Sequence, residues 1–340
     1  MGSKRGACFL RPFLLISFCL VPFPARAGRG APLPARARVN ALFVRIQDIF
    51  VRERRGDLAS DEIEALDAKA RKILDKTVTL GLPAVEPLFD IAREEKSFKS
   101  RLWALSAMGL IGGPQAFRNL QAVLNDSGFP DLLRAQAAFL IGAFKGDAVE
   151  KRTALCRELE IRVLAKPIFV ECLRQVSAMG CPKVAALVMI ARSFGAKPQK
   201  KNASLVSYAL KALNASPAEE AVPALLDLAA FYKRETSARL EAVEGLWGFR
   251  VELPRYKDAA VPALSHLLLE ESRRPQEAVL ILNLLDPIKD KTLIPLLGRY
   301  KRHPNQAVAA LAAREWRDLE ELRKMIRKRR AEKTRTGKVR

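Results

Sequence analysis

Residues Ala221-Val222-Pro223-Ala224-Leu225 return as Ala260-Val261-Pro262-Ala263-Leu264, a spacing of about 39 residues, within the range of stacked helical hairpins. Looser copies stand at Ala84-Val85-Glu86-Pro87-Leu88 and Leu293-Ile294-Pro295-Leu296-Leu297. Pro87, Pro223, Pro262 and Pro295 thus mark the opening helix of successive units. A second helix is expected before each next copy.

The second helices share a pattern of their own. Arg101-Leu-Trp-Ala104-Leu-Ser-Ala-Met-Gly109 aligns with Arg134-Ala-Gln-Ala137-Ala-Phe-Leu-Ile-Gly142, and Arg239-Leu-Glu-Ala242 keeps the Arg and the Ala. A small residue at a fixed place lets neighbouring helices approach closely, while Leu, Met and Phe fill the layer around it. The phrases Ala-Val-Pro-Ala-Leu, Arg-x-x-Ala and Ala-Met-Gly-Leu-Ile-Gly-Gly-Pro-Gln-Ala116 resemble HEAT repeats, in the short form also seen in phycobilisome-lyase-type families. That resemblance implies an all-α superhelix of about seven hairpins over residues 81–322, with breaks near 117, 149, 185, 221, 260 and 293. Residues 149–220 keep helical periodicity without the Arg-x-x-Ala signature. For Arg101, Arg134 and Arg239 the resemblance implies an internal ladder to the neighbouring unit. The competing reading of the three is a basic row along the inner surface.

The physics agrees with a solenoid. One hairpin cannot bury its apolar stripe alone and needs neighbours on both sides. No stretch shows sustained two-residue alternation bounded by hairpin turns. Breakers fall between the expected helices, at Gly112-Gly113-Pro114, Ser127-Gly128-Phe129-Pro130, Lys197-Pro198 and Asp286-Pro287. Ser216-Pro217-Ala218-Glu219 reads as a capping box with Pro at the first helical position. Residues 39–80 give two helices without the repeat phrase, the second after Ser60 with its acids early and its bases late. They are expected to cap the first repeat.

Charge is concentrated at the ends. The chain carries 59 basic and 37 acidic residues, a net charge of +22. Residues 323–340 supply +9 of it through ten bases and one Glu, and the first 27 residues supply +4. Arg323, Lys324, Arg327, Lys328, Arg329, Arg330, Lys333 and Arg335 are the candidate polyanion-binding residues, acting by counterion release. The bland alternative for this tail is solubility. Asn305 to Lys333 reads as one helix whose apolar positions stop at Ile326; beyond that point the chain is either a solvated helix or disordered. At the other end, Lys4-Arg5, the apolar run Pro12 to Phe23 and Ala25-Arg26-Ala27 read as a secretory signal over residues 1–27. Residues 28–38 then form a flexible Pro- and Arg-rich leader, and the mature chain is expected to be periplasmic or secreted with no membrane-spanning segment.

No catalytic constellation emerges. His266 and His303 lie in different units, and Cys-x-x-Cys, His-Glu-x-x-His, Gly-x-Ser-x-Gly and Ser-x-x-Lys are all missing. No cofactor is expected. Glu94-Glu95, Glu219-Glu220 and Glu270-Glu271 read as solvated acids at helix starts. Trp103, Trp247 and Trp316 read as core fillers. Cys156, Cys172 and Cys181 read as small apolar core residues, with one bridge among them as the alternative. The function expected is a non-enzymatic scaffold holding a protein partner on its concave face. The alternatives are an anionic polymer bound through the tail and a lyase-type enzyme.

Overall fold

A computed structural model describes residues 34–53, 58–159, 167–195, 200–232, 237–270 and 275–336. The expected signal and the first part of the leader lie outside these residues. Among the described residues there are sixteen α-helices and no strand. They form eight consecutive pairs. The first is α1 (Ala35–Glu53) with α2 (Ser60–Val78), followed by α3 (Val85–Glu94) with α4 (Phe98–Ile111) and α5 (Gly113–Asn125) with α6 (Asp131–Ala143). Next come α7 (Ala148–Glu158) with α8 (Pro167–Met179) and α9 (Val184–Gly195) with α10 (Lys200–Asn214). The last three are α11 (Ala221–Phe231) with α12 (Ser237–Gly245), α13 (Lys257–Glu270) with α14 (Pro275–Leu285), and α15 (Ile294–Tyr300) with α16 (Gln306–Thr336).

Substantial helix contacts run within a pair or between adjacent pairs. The stack is therefore built from nearest-neighbour terms, as in other solenoids. The two layers differ in closeness. Even-numbered helices touch their successors without a break from α2 to α16, whereas odd-numbered helices do so substantially only along α1–α3–α5 and α9–α11–α13. The even-numbered helices, in unbroken contact, are called the inner layer and the odd-numbered ones the outer layer.

Small residues make that closeness. A Cβ on Gly109 of α4 would come within 2.7 Å of the Leu140 side chain of α6. One on Gly142 of α6 would come within 2.0 Å of Gln175 Oε1 of α8. Ala104, Ala137 and Ala242 are fully buried on the same helices. The fixed Ala and Gly positions thus set how near one inner helix lies to the next.

Several expectations are corrected. Helix α1 starts at Ala35, inside the expected leader, because good helix formers follow Pro34 and Arg36 pairs with Asp90 of α3 at 2.8 Å. The break expected near 117 falls at Gly112, where φ is 74°, and Pro114 opens α5. The chain at Ser216 does not start a helix. Its buried hydroxyl donates to Cys181 O at 2.8 Å and accepts from Ala218 N at 3.2 Å, and α11 begins only at Ala221. Pro87, Pro223 and Pro295 lie in the first turn of α3, α11 and α15, where a missing N–H costs nothing. Pro262 sits inside α13 instead, because the Leu253–Tyr256 turn of 3-10 helix starts that helix early. The C-terminal segment is helical as far as Thr336.

All three cysteines are buried in the core, and two of them are also bridged. Cys156 of α7 and Cys181, in the turn after α8, are joined in a disulfide with their Cα atoms 6.0 Å apart, and Cys172 is free and buried. Arg152 of α7 also donates to Met179 O at 3.5 Å, so that turn folds back against α7. A crosslink closing 25 residues removes about 3 kcal/mol of unfolded-chain entropy.

The same turn contains Gly180 at φ 74°, where a Cβ would meet Ala215 O at 1.9 Å, whereas Gly112 at the same φ has open space around its Cβ position. Gly112→Ala should cost about 1 kcal/mol from backbone strain alone. Gly180→Ala should cost roughly 2–3 kcal/mol or more, because the inter-pair contact must also open. Urea unfolding followed by circular dichroism measures both, and equal losses would mean the two loops are not packed together.

Candidate binding surfaces

The three signature arginines all begin inner helices and turn inward. Arg101 donates through Nε to Ala92 O at 2.6 Å, at the C-terminal end of α3, and its guanidinium lies 4.9 Å from the centre of the Phe129 ring. Arg134 donates to Leu124 O of α5 at 2.8 Å and pairs with Glu158 of α7 at 2.9 Å. Arg239 reaches Leu267 O at 3.4 Å, Glu270 at 2.7 Å and Glu277 at 3.2 Å. In each case a cation meets a carbonyl in the last turns of an outer helix, where backbone acceptors lack helical partners and the dipole is negative. Each also touches the following pair. Arg134 and Arg239 are buried and Arg101 half-buried, so the three form no open basic row.

The acid that faces Arg134 is strained as a charge. Burial pushes the Glu158 carboxyl up, and Arg134 pulls it part of the way back. Burial likewise raises the Cys172 thiol, with help from Glu158 and Glu171. A second cluster fastens the last helix. Glu315 of α16 is raised by burial and by Asp286, while Asp286 is lowered to about 2 by its hydrogen bond with Glu315 and by Lys289. Arg250 bonds Asp286 at 2.9 Å, and Lys289, in the left-handed region with φ 48°, bonds Glu315 at 3.1 Å. Sequence reading missed this clasp, because its members come from three separate stretches of chain.

The exposed face of the inner layer is mixed in chemistry. Arg174 of α8 lies 5.6 Å from the centre of the Phe139 ring of α6 and pairs with Glu171 at 2.6 Å. Ser207 of α10 donates to Glu241 of α12 at 2.6 Å, and Lys211 lies 3.7 Å from the same carboxylate. Tyr208 is half-buried among them. Trp247 is 45% exposed with Arg250 5.0 Å from its ring centre. It is no core filler, because α12 gives way to a 3-10 turn at Leu246–Phe249 and Leu246 takes the buried place. Trp103 is buried, and Trp316 is half-buried with Lys301 Nζ 3.5 Å from its ring centre. The inner face therefore offers aromatic surface between charges that already balance one another.

The basic end is different. Along α16, Leu319, Leu322, Arg323, Ile326, Arg327 and Arg330 fall on one side and wall a groove of about 670 Å³. The facing wall is built from Lys257 at the start of α13 and from the stretch 289–295. Ile294, Pro295, Leu319 and Leu322 give the groove an apolar floor. Lys257, Lys289 and Lys291 thus join three of the arginines singled out in the sequence. Lys324, Lys328 and Arg329 are exposed on other sides of α16, and the side chains of Lys333 and Arg335 lie outside the described residues. Asp290, the acid lining this groove, is held at about 2 by the Lys257 ammonium at 2.8 Å and by the Thr292 hydroxyl and amide. The lysines had no legible signal: Lys289-Asp290-Lys291 reads locally as an ordinary loop.

Among the described residues no group of three or more His, Cys, Asp or Glu is placed to hold a metal ion, and no single helix is long and apolar enough to cross a membrane. His266 is exposed on α13, 3.8 Å from Glu270, and His303 stacks on Tyr300 before α16.

No protein-family model matches the chain, and no curated protein does. Among solved structures it is similar to human deoxyhypusine hydroxylase in complex with glycerol, with 18% identity, a TM-score of 0.32, and coverage of 84% of this chain and 97% of that one. A computationally designed self-assembling cyclic homo-oligomer matches at 14% identity and a TM-score of 0.13, covering 84% of this chain and 98% of that one.

Removing Arg134 leaves Glu158 buried without its cation, so Arg134→Ala should cost about 3–5 kcal/mol at neutral pH. Arg101→Ala, which loses a half-buried bond to a carbonyl, should cost about 1 kcal/mol. A carboxyl raised in the folded state binds its proton there before it does in the unfolded chain. The Arg134→Ala deficit should therefore shrink as pH falls through the raised Glu158 range. Thermal melts at pH 5 and pH 7 check this, and a pH-independent deficit would mean that Glu158 is not the stranded charge.

Proposed function

We propose that this chain is an exported, non-enzymatic helical-repeat scaffold of the HEAT type that holds a protein partner along its inner face. The observation that carries this is the inner-layer surface. Phe139 on α6, Tyr208 on α10 and Trp247 at the end of α12 are offered on the inner layer, amid Glu171–Arg174 and Lys211–Glu241 pairs. Aromatic side chains and Arg beside self-compensated charge are the composition of protein-recognition hot spots. A polyanion finds no basic excess there. The acids with displaced titration, Glu158, Asp286, Asp290 and Glu315, each sit in ion pairs that tie elements together. That favours a structural role for them over acid–base catalysis.

Export is supported from two directions. The first 27 residues have the three-part pattern of a secretory signal. The Cys156–Cys181 bond suits an oxidising compartment. A second surface, the basic end of α16, suits an anionic partner, because its lysines and arginines stay exposed around the helix.

Photo-crosslinkers placed at Ser106, Tyr208 and Glu244 on the inner layer should capture one common protein in cells. Crosslinkers at Met189 and Pro262 on the outer layer should not, and Trp247→Ala should weaken capture. Adducts of equal yield from both layers would refute the inner-face reading. The processed chain should begin at Gly28 and give a Cys156–Cys181 peptide pair under non-reducing mass spectrometry. An intact Met1 start with Cys156, Cys172 and Cys181 all free would refute export.

A further inference from the structure

The groove beside α16 is more selective than a basic tail needs to be. A stripe from Leu319 to Arg330 is about 16 Å long at helical rise, three turns of one helix face, and it is apolar at its base and cationic at its rim. The acids nearby are already engaged, Asp290 by Lys257 and the Asp286–Glu315 pair by Lys289. The field in the groove is therefore set by Lys291 and Arg327, with Arg323 sharing its charge with Glu320 at 3.2 Å. We infer that this groove binds an acidic amphipathic helix of a protein partner, which lays its apolar side on Ile294, Leu319 and Leu322 and its carboxylates against those three cations.

The inference rests on reading the basic end as an anion-binding surface and names the class of anion. A bare polyanion brings charge but no apolar side chain, so it leaves the floor in contact with water. A floor of aliphatic side chains gives bases nothing to stack on, which disfavours single-stranded nucleic acid. A flat bilayer is held off the floor by the two walls, α16 on one side and residues 289–295 on the other. A helix with anchors at i, i+3 and i+7 enters such a groove along its length. The leader is not the occupant, since residues 28–38 contain no acid. Ile326, 43% exposed at the rim, is where apolar and ionic contacts meet.

The test uses the full mature chain and fluorescence anisotropy. The probe is a labelled synthetic helix of fourteen residues with Leu along one face and Glu elsewhere. Its comparators are a scrambled peptide of the same composition, polyphosphate, single-stranded DNA and phosphatidylglycerol vesicles. The amphipathic helix should bind roughly tenfold or more tightly than the scrambled peptide. Lys291→Glu with Arg327→Glu should weaken it by a similar factor. Lys324→Glu with Lys328→Glu changes the same charge on the opposite side of α16 and should leave it within about twofold. Ile326→Asn should weaken the helix and leave polyphosphate binding unchanged. Equal loss from the two charge reversals, or equal binding of the scrambled peptide and polyphosphate, overturns the inference while the anion-binding reading survives. Tighter binding to vesicles or DNA than to the helix, or self-association of the chain abolished by the groove reversal, overturns it in favour of those occupants. Binding of no probe overturns both readings.

Discussion

How near one inner helix can come to the next governs the rest of this molecule. At Gly109 and Gly142 the Leu140 and Gln175 side chains of the next inner helix take the space that a Cβ would need, and Ala104 and Ala137 are fully buried. Among the described residues the outer helices carry no such unbroken line of contact.

Close approach brings a difficulty of its own, since outer helices end in carbonyls pressed near the inner layer. Arg101, Arg134 and Arg239 answer it by donating to Ala92 O, Leu124 O and Leu267 O. Tyrosines extend the same solution between pairs, Tyr232 donating to Ala191 O at 3.0 Å and Tyr300 to Leu268 O. Burying guanidinium groups is tolerable only where acids accompany them, which is why Glu158 and Glu277 are buried too. The buried Arg134–Glu158 and Arg239–Glu277 pairs thus each tie one helix pair to the next.

The C-terminal end shows how an architectural requirement and a binding surface share one helix. The front of α16 buries Val308, Ala312 and Leu319 against the stack, and the Asp286–Lys289–Glu315 clasp locks it there. Past Leu322 the same helix runs on beside the stretch 289–295, and among the described residues Leu322 and Ile326 line a cationic groove there.

Helix-pair count and the breakers at 112–114, 127–130 and 286–287 were legible from sequence because they depend on local chemistry: a proline phrase, a 3.6-residue stripe, a glycine that turns the chain; Lys197 and Pro198 lie outside the described residues. The repeated arginines and small residues were legible for the same reason, as was the basic run that ends the chain. What the sequence could not contain was the partner of each group. Cys156 bonds Cys181 because the turn after α8 folds onto α7, and Trp247 faces water because α12 tightens into a 3-10 turn one residue earlier. Lys257, Lys289 and Lys291 join the arginines of α16 because two loops and a long helix converge at one edge of the stack. By itself the sequence determined which segments are helices and that they must pile on one another, since an amphipathic hairpin is unstable alone. Only the tertiary structure decided which charges cancel and which remain to bind, because electrostatic pairing acts through space between residues tens of positions apart.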